Sequence, residues 1–329
     1  MTQIKTFNDD PNFSIVMPGG CNAACPFCFN KSKGTQPRVI NDFDWMLNMQ
    51  NILMALPEQF YQISITGNEP MISPIIDGVL TMCKRMKLKY HNILLTTNGT
   101  NLLTKINEVV AGVHHINISR HHYDEDENKR IFGGKYNVTD AELVEIIDKY
   151  SARGVDVSLN CVINDETTPD FIMSFIHFAK ETGSHAVRFR KQNGNNLDMT
   201  PAEAALDSQY PILHRGECPV CRTWLRVIRG MTTYWKAAVI EPTDKVKDSV
   251  YELVYDTDGI LYLDWNRKVP FQLTETPEPH QRISNTSNIV GCKDSLVFFP
   301  QIDCGMPRRY SSCGGTSSSS CGSPSGSHC

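Results

Sequence analysis

Between residues 13 and 193, short apolar runs alternate with longer stretches of helical periodicity. This alternation constrains the fold more than any other feature of the chain. The apolar runs are FSIVM (13–17), YQISIT (61–66), NILLTT (92–97), HINIS (115–119), VSLNCVI (157–163) and AVRFR (186–190). The helical stretches cover 43–56, 73–86, 101–111, 139–153 and 169–182. Runs this short and apolar suit strands buried on both faces, and strands that alternate with helices pair in parallel. The fold class is therefore α/β. Six such units predict a partial (β/α)6 TIM-like barrel, with chemistry at the C-terminal ends of its strands.

The chain has 329 residues, enough for one large core or two domains. A formal net charge of −4 gives no general reason to expect a nucleic-acid partner. No apolar run reaches the roughly 18 residues that a membrane span needs, and MTQIKTFNDDPNF carries no signal-like pattern, so a cytoplasmic protein with no membrane partner is expected. Cysteine is the anomaly, with 12 in all. In a chain without a signal peptide, metal ligation or redox chemistry explains them better than disulfides do.

Three of them, Cys21, Cys25 and Cys28, lie in PGGCNAACPFCFN, a Gly- and Pro-containing loop directly after the first apolar run. The spacing is C-x3-C-x2-C. Three neighbouring thiolates can hold three irons of a cubane cluster and leave the fourth open to a non-protein ligand. A zinc site is the alternative, but it needs a fourth ligand, and no further Cys or His follows until Cys83 and His91.

With the aromatic Phe27 before its third cysteine, this loop resembles that of the radical S-adenosylmethionine (SAM) superfamily. The resemblance implies a [4Fe–4S] cluster on Cys21, Cys25 and Cys28, whose open iron is chelated by SAM. It also implies a one-electron reductant such as flavodoxin or ferredoxin. SAM is then cleaved to methionine and a 5′-deoxyadenosyl radical, which abstracts hydrogen from a substrate. Later strand ends agree in order. Thr66-Gly67-Asn68-Glu69-Pro70 resembles the family's GGEP stretch, with Asn68 in place of the second glycine, and implies that Gly67, Asn68 and Glu69 receive the SAM amino group. Thr96-Thr97-Asn98-Gly99 is similar to the TTNG of the MoaA-like branch, which contains the molybdenum-cofactor cyclases. Ser119 falls where that branch has a SAM-contacting serine, and Asn160 matches its N-x-V ribose or carboxylate contact. Arg190 lies in an RF-x-x segment after which the chain passes the adenine. Arg120, His121 and His122 depart from the branch pattern. Adjacent residues of a strand point to opposite sides, so at most one of the two histidines faces the site.

Beyond residue 200 the pattern changes. PAEAALD (201–207) reads as a short helix, and YELVYDTDGILYLDW (251–265) as a hairpin turning at Thr257-Asp258-Gly259. Cys218 and Cys221 form a CxxC pair. Cys292 and Cys304 could complete an auxiliary iron–sulfur site of the kind that MoaA-like relatives carry, with zinc or a thiol role as alternatives. The segment 311–329, SSCGGTSSSSCGSPSGSHC, has no large apolar residue and is expected to be disordered unless something holds it. The expected organisation is a barrel (1–200), a smaller β-containing extension with a possible second metal site (201–309) and a Cys/Ser/Gly-rich tail (310–329).

Three functions are compatible with these features. One is a radical SAM enzyme acting on a Cys-containing peptide, for which the tail itself is a candidate. A second is a radical SAM enzyme acting on a nucleotide or small metabolite, its phosphates held by Arg120, His121, Arg188, Arg190 and Lys191. The third is a non-catalytic iron–sulfur or zinc protein.

Overall fold

Six parallel strands lie side by side in chain order, each linked to the next through helical segments. They are β1 (Thr6–Met17), β2 (Gln62–Gly67), β3 (Ile93–Thr97), β4 (His115–Ser119), β5 (Asp156–Ile163) and β6 (Ala186–Lys191). Helices α1 (Phe29–Ser32) and α2 (Asp42–Ala55) follow β1, α3 (Ile76–Met86) follows β2 and α4 (Ile106–Gly112) follows β3. Helices α5 (Glu125–Ile131) and α6 (Asp140–Ser151) follow β4, while α7 (Pro169–Glu181) follows β5 and α8 (Pro201–Asp207) follows β6. The computed structural model describes residues 6–32, 40–55, 62–86, 92–134, 138–192, 200–215, 223–236, 249–263, 265 and 270.

The helices start where local chemistry tells them to. Thr139 and Glu142 form a reciprocal capping box at α6, and Thr200 and Glu203 form another at α8. At α7, Thr168 caps the N-terminus and Pro169 occupies the first turn. α4 starts at Ile106, not near 101 as the periodicity suggests. Asn101 adopts φ +59, and its side chain donates to the carbonyl of Met71 at 3.1 Å, so the chain is held in a turn there. The short helix α5, capped by Asp124, has no counterpart in the periodicity.

The strands are buried on both faces, but the two faces differ chemically. Ile15, Ile65, Ile93, Leu95, Ile116, Ile118, Leu159 and Phe189 are essentially inaccessible and pack into the main core with the helices. Each such side chain contributes about 1.5–3 kcal/mol. The alternate positions carry Asn12, Ser14, Gln62, Ser64, Asn117 and Arg188 and line an internal cavity. A TIM-type barrel ordinarily fills its interior with layers of branched apolar residues. Here the lumen is polar and open, and its wall follows β2 from Gln62 through Ser64 to Thr66, roughly 13 Å of strand.

Both edges of the six-strand array are extended by hairpins. β7 (His214–Arg215), β8 (Trp224–Ile228) and β9 (Met231–Lys236) continue from β6, and β9 runs parallel to it. The β8–β9 turn places Arg229 and Gly230 at φ +48 and +78, the left-handed pair that a tight two-residue hairpin requires. On the other edge, β10 (Ser249–Tyr255) runs parallel to β1, and β11 (Leu261–Tyr262) folds back on it. The hairpin expected at 251–265 is therefore present, with Gly259 at φ +82 in its turn, and it extends the same sheet. Among the described residues no helix is long and apolar enough to cross a membrane.

Candidate active site at the strand ends

A cavity of about 310 Å³ opens at the C-terminal ends of the parallel strands. Cys21, Cys25, Phe27 and Cys28 border it from the loop after β1, and Gly67, Asn68 and Glu69 from the end of β2. Thr97 and Asn98 reach it from β3, Ser119 from β4, Asn160 from β5 and Arg190 from β6. The structure thus brings into one space the cluster-loop cysteines and each residue that the family resemblance marked as a SAM contact. Cys218, Cys221, Cys292 and Cys304, with the tail from 310, lie outside the described residues.

Glu69 is the most constrained of these groups. It is 2% exposed, and its carboxylate accepts from Thr97 Oγ1 at 2.5 Å, the Asn98 backbone N–H at 2.7 Å and the Met71 backbone N–H at 3.0 Å. Burial pushes its pKa up to about 7, against the pull of those three hydrogen bonds. The carboxylate therefore ties the ends of β2 and β3 together, and it faces the cavity with acceptor capacity left. Asn68 takes the place of a glycine without backbone strain, since its φ is not in the left-handed region. Its side chain donates to the carbonyl of Gly19 at 2.7 Å, and the Glu69 N–H reaches the carbonyl of Gly20 at 3.3 Å. Gly67 is the position that does require glycine: φ is +129, and a Cβ there would lie 2.7 Å from the backbone nitrogen of Met17.

The cysteine loop fits a cluster by its donor set. The thiol of Cys25 is pushed up to about 11, first by burial and then by Cys28 and Cys21, so the three sulfurs sit close enough to resist ionising together. Cys21 is also raised, chiefly by burial, while its sulfur accepts the Ala23 N–H at 3.4 Å. Cationic irons remove this mutual penalty and hold the sulfurs as thiolates.

Of the two histidines after β4, one faces in. His121 is buried, packs edge-on against Phe27 at 4.8 Å and Phe132 at 5.4 Å, and accepts the Val162 N–H on Nδ1 at 3.2 Å. Burial drives its pKa down to about 3, so it is neutral. His122 turns away to stack with Tyr123 and Phe171. Arg120 is a correction to the expected phosphate-binding rim. Its guanidinium pairs with Asp140 at 2.6 Å and donates to the carbonyls of His122 and Val138, outside the cavity lining. Lys191 borders the cavity but is held by Glu203 at 3.3 Å and lies over the Trp224 ring.

Several lining residues escaped the sequence reading. Asn12, Gln62 and Asn117 lie on the lumen side of β1, β2 and β4, and the Oδ1 atoms of Asn12 and Asn117 are buried with no hydrogen-bond partner. Lys236, also missed, joins the expected Arg188 on the β6–β9 wall, where Arg188 stacks over Tyr234. Across the lumen Glu252 accepts from Ser14 at 2.6 Å. The period-two alternation of HINIS already marks Asn117, but Lys236 and Glu252 reach the lumen only through long-range pairing.

Comparison with known proteins points the same way as this geometry. The chain is 25% identical over 207 residues to an S-adenosylmethionine-dependent nucleotide dehydratase of Lacinutrix mariniflava, covering 60% of this chain and 42% of that protein. It is 24% identical over 201 residues to a GTP 3′,8-cyclase of Aliarcobacter butzleri, covering 58% and 60%. It therefore spans about half the length of these curated relatives. The fold matches that of Streptococcus suis SuiB bound to S-adenosylmethionine, with a TM-score of 0.54 and 14% identity, over 83% of this chain and 63% of SuiB. The family model of the radical SAM superfamily matches residues 15–179, from β1 through the cysteine loop to α7. With half of the chain so matched and the cysteine loop and strand ends gathered on one cavity, the protein belongs to the radical SAM superfamily, enzymes that use a [4Fe–4S] cluster and S-adenosylmethionine.

Proposed function

We propose that this enzyme cleaves SAM reductively at a [4Fe–4S] cluster held by Cys21, Cys25 and Cys28, and that the 5′-deoxyadenosyl radical so supplied takes hydrogen from a small anionic substrate, such as a nucleotide, in the barrel lumen. The observation that carries this reading is the single cavity shared by the cysteine loop, the strand ends and a polar lumen. Glu69, Ser119 and Asn160 supply acceptors for the ammonium and hydroxyl groups of SAM. Arg188, Arg190 and Lys236 make one wall of the lumen cationic, which suits phosphate or carboxylate. Asn12 and Asn117 offer unpartnered acceptor oxygens to N–H or O–H donors of the substrate. Phe27, Phe132 and the neutral His121 keep the adjoining wall apolar and limit water. A flavodoxin or ferredoxin is the matching one-electron donor.

The Cys/Ser/Gly-rich tail supports a second reading, a Cys-containing peptide as substrate, with an auxiliary site on Cys218, Cys221, Cys292 and Cys304. The test is anaerobic reconstitution, followed by SAM and dithionite with GTP, CTP or a synthetic 304–329 peptide, scored by 5′-deoxyadenosine release and by the mass of each additive. The expected result is stimulation and conversion with a nucleotide. In Arg190→Ala its KM should rise about tenfold to a hundredfold at unchanged iron content, the cost of one charge-assisted contact. Conversion of the peptide alone would instead establish the second reading.

A further inference from the structure

The cysteine loop has almost no regular structure of its own, so something outside it must hold its sulfurs. Part of that hold is a closed ring of three side chains. Asn98 Nδ2 donates to Asn22 Oδ1 at 2.8 Å, and Asn22 Nδ2 donates to Thr100 Oγ1 at 2.8 Å. Thr100 Oγ1 in turn donates to Asn98 Oδ1 at 2.6 Å. Each member both gives and accepts, an arrangement in which hydrogen bonds polarise one another. Asn98 and Thr100 are buried beside the end of β3, and the backbone of Asn98 is anchored on Glu69. Asn22 is the loop member, adjacent to Cys21 and three residues before Cys25. The opposite flank of the loop is tied separately, by the Ala24 N–H to the carbonyl of Phe132 at 2.8 Å.

We infer that Asn22 and Thr100 are positioning residues: through Asn98 they register the cluster loop against Glu69, and so set where a cluster on Cys21, Cys25 and Cys28 stands relative to the SAM-binding strand ends. This rests on the function proposed above for the SAM arm of the test only. The first measurement, on the cluster-free chain, stands whether or not SAM is the ligand. Thr100→Val keeps the shape and removes the hydroxyl, which opens the ring at two places. Thr100→Ser keeps the ring.

Hydrogen–deuterium exchange of the cluster-free chain should show peptides spanning residues 18–28 exchanging about tenfold faster in Thr100→Val, the effect of one or two lost hydrogen bonds. Peptides from β4 and β5 should be unchanged, and Thr100→Ser should match wild type. After reconstitution, Thr100→Val should bind SAM about tenfold more weakly at normal iron content, again with Ser as rescue. Should β4 and β5 also lose protection, Asn22→Ala, in a half-buried loop position, takes over and must loosen the loop by itself. Wild-type exchange of the loop in both Thr100→Val and Asn22→Ala, or equal loosening by Val and Ser, overturns the inference. Loosening of the loop with unchanged SAM binding would overturn the registering role and leave only a structural one. A reconstituted wild type that fails to bind SAM at all would count against the proposed function, not against the ring.

Discussion

The SAM-binding cluster should be lost, with its share of the iron, and 5′-deoxyadenosine release should disappear, when any one of Cys21, Cys25 or Cys28 is replaced by Ala. Three thiolates are all that this loop offers, and no other Cys among the lining residues can substitute. The two further cysteines among the described residues, Cys83 and Cys161, are buried in the core, with their thiols pushed up by desolvation. The fold itself should survive, because the cysteines of the loop are exposed or half-buried and contribute little to the core. Iron quantitation beside a circular dichroism melt separates the two effects. Retained SAM cleavage in any single variant would contradict the ligand assignment.

Glu69→Ala carries the second large effect, and it acts on both stability and binding. It strands the Thr97 hydroxyl and two backbone N–H groups in a buried site, which should cost about 2–4 kcal/mol. SAM affinity in the reconstituted protein should fall a further tenfold to hundredfold through the lost charge-assisted bond. The carboxyl also has a pH signature in the cluster-free chain. Its folded-state pKa of about 7 lies above its ordinary 4.5, so the folded state prefers the protonated form. The stability this contributes is present below about pH 4.5 and lost as pH rises through 7, at most about 3 kcal/mol. Denaturant melts from pH 4.5 to 7.5 should therefore fall less steeply in Glu69→Gln than in wild type. Parallel slopes would show that Glu69 is already ionised in the folded chain.

How much of this was legible beforehand differs from one residue to the next. The strand–helix alternation, the C-x3-C-x2-C loop and the strand-end polar residues were readable because each depends on local order: period two, period 3.6, or a fixed ligand spacing. Strand geometry allowed at most one of the two histidines to face inward, but did not say whether either does or which. His121 is the one that borders the cavity, its Nδ1 accepting the Val162 N–H, in a turn whose two histidine N–H groups both bond to Asn128 Oδ1, and Asn128 sits on α5, a helix that the periodicity does not show. Arg120 read as a binding cation and proved to be a brace, since Asp140 lies 20 residues away and only the fold brings it to 2.6 Å.

By itself, the sequence determined the order of strands β1 to β6, the three-thiol donor set and the candidate contacts at each strand end, all properties of short windows. Tertiary structure alone decided that the hairpins at 224–236 and 249–262 would extend the two edges of the sheet, placing Lys236 and Glu252 in one lumen. It also decided that Asn22 and Thr100 would meet. Residues 78 positions apart make contact only when a buried frame holds both, and the energy that selects that contact comes from packing summed over the whole sheet, which no local stretch of sequence contains.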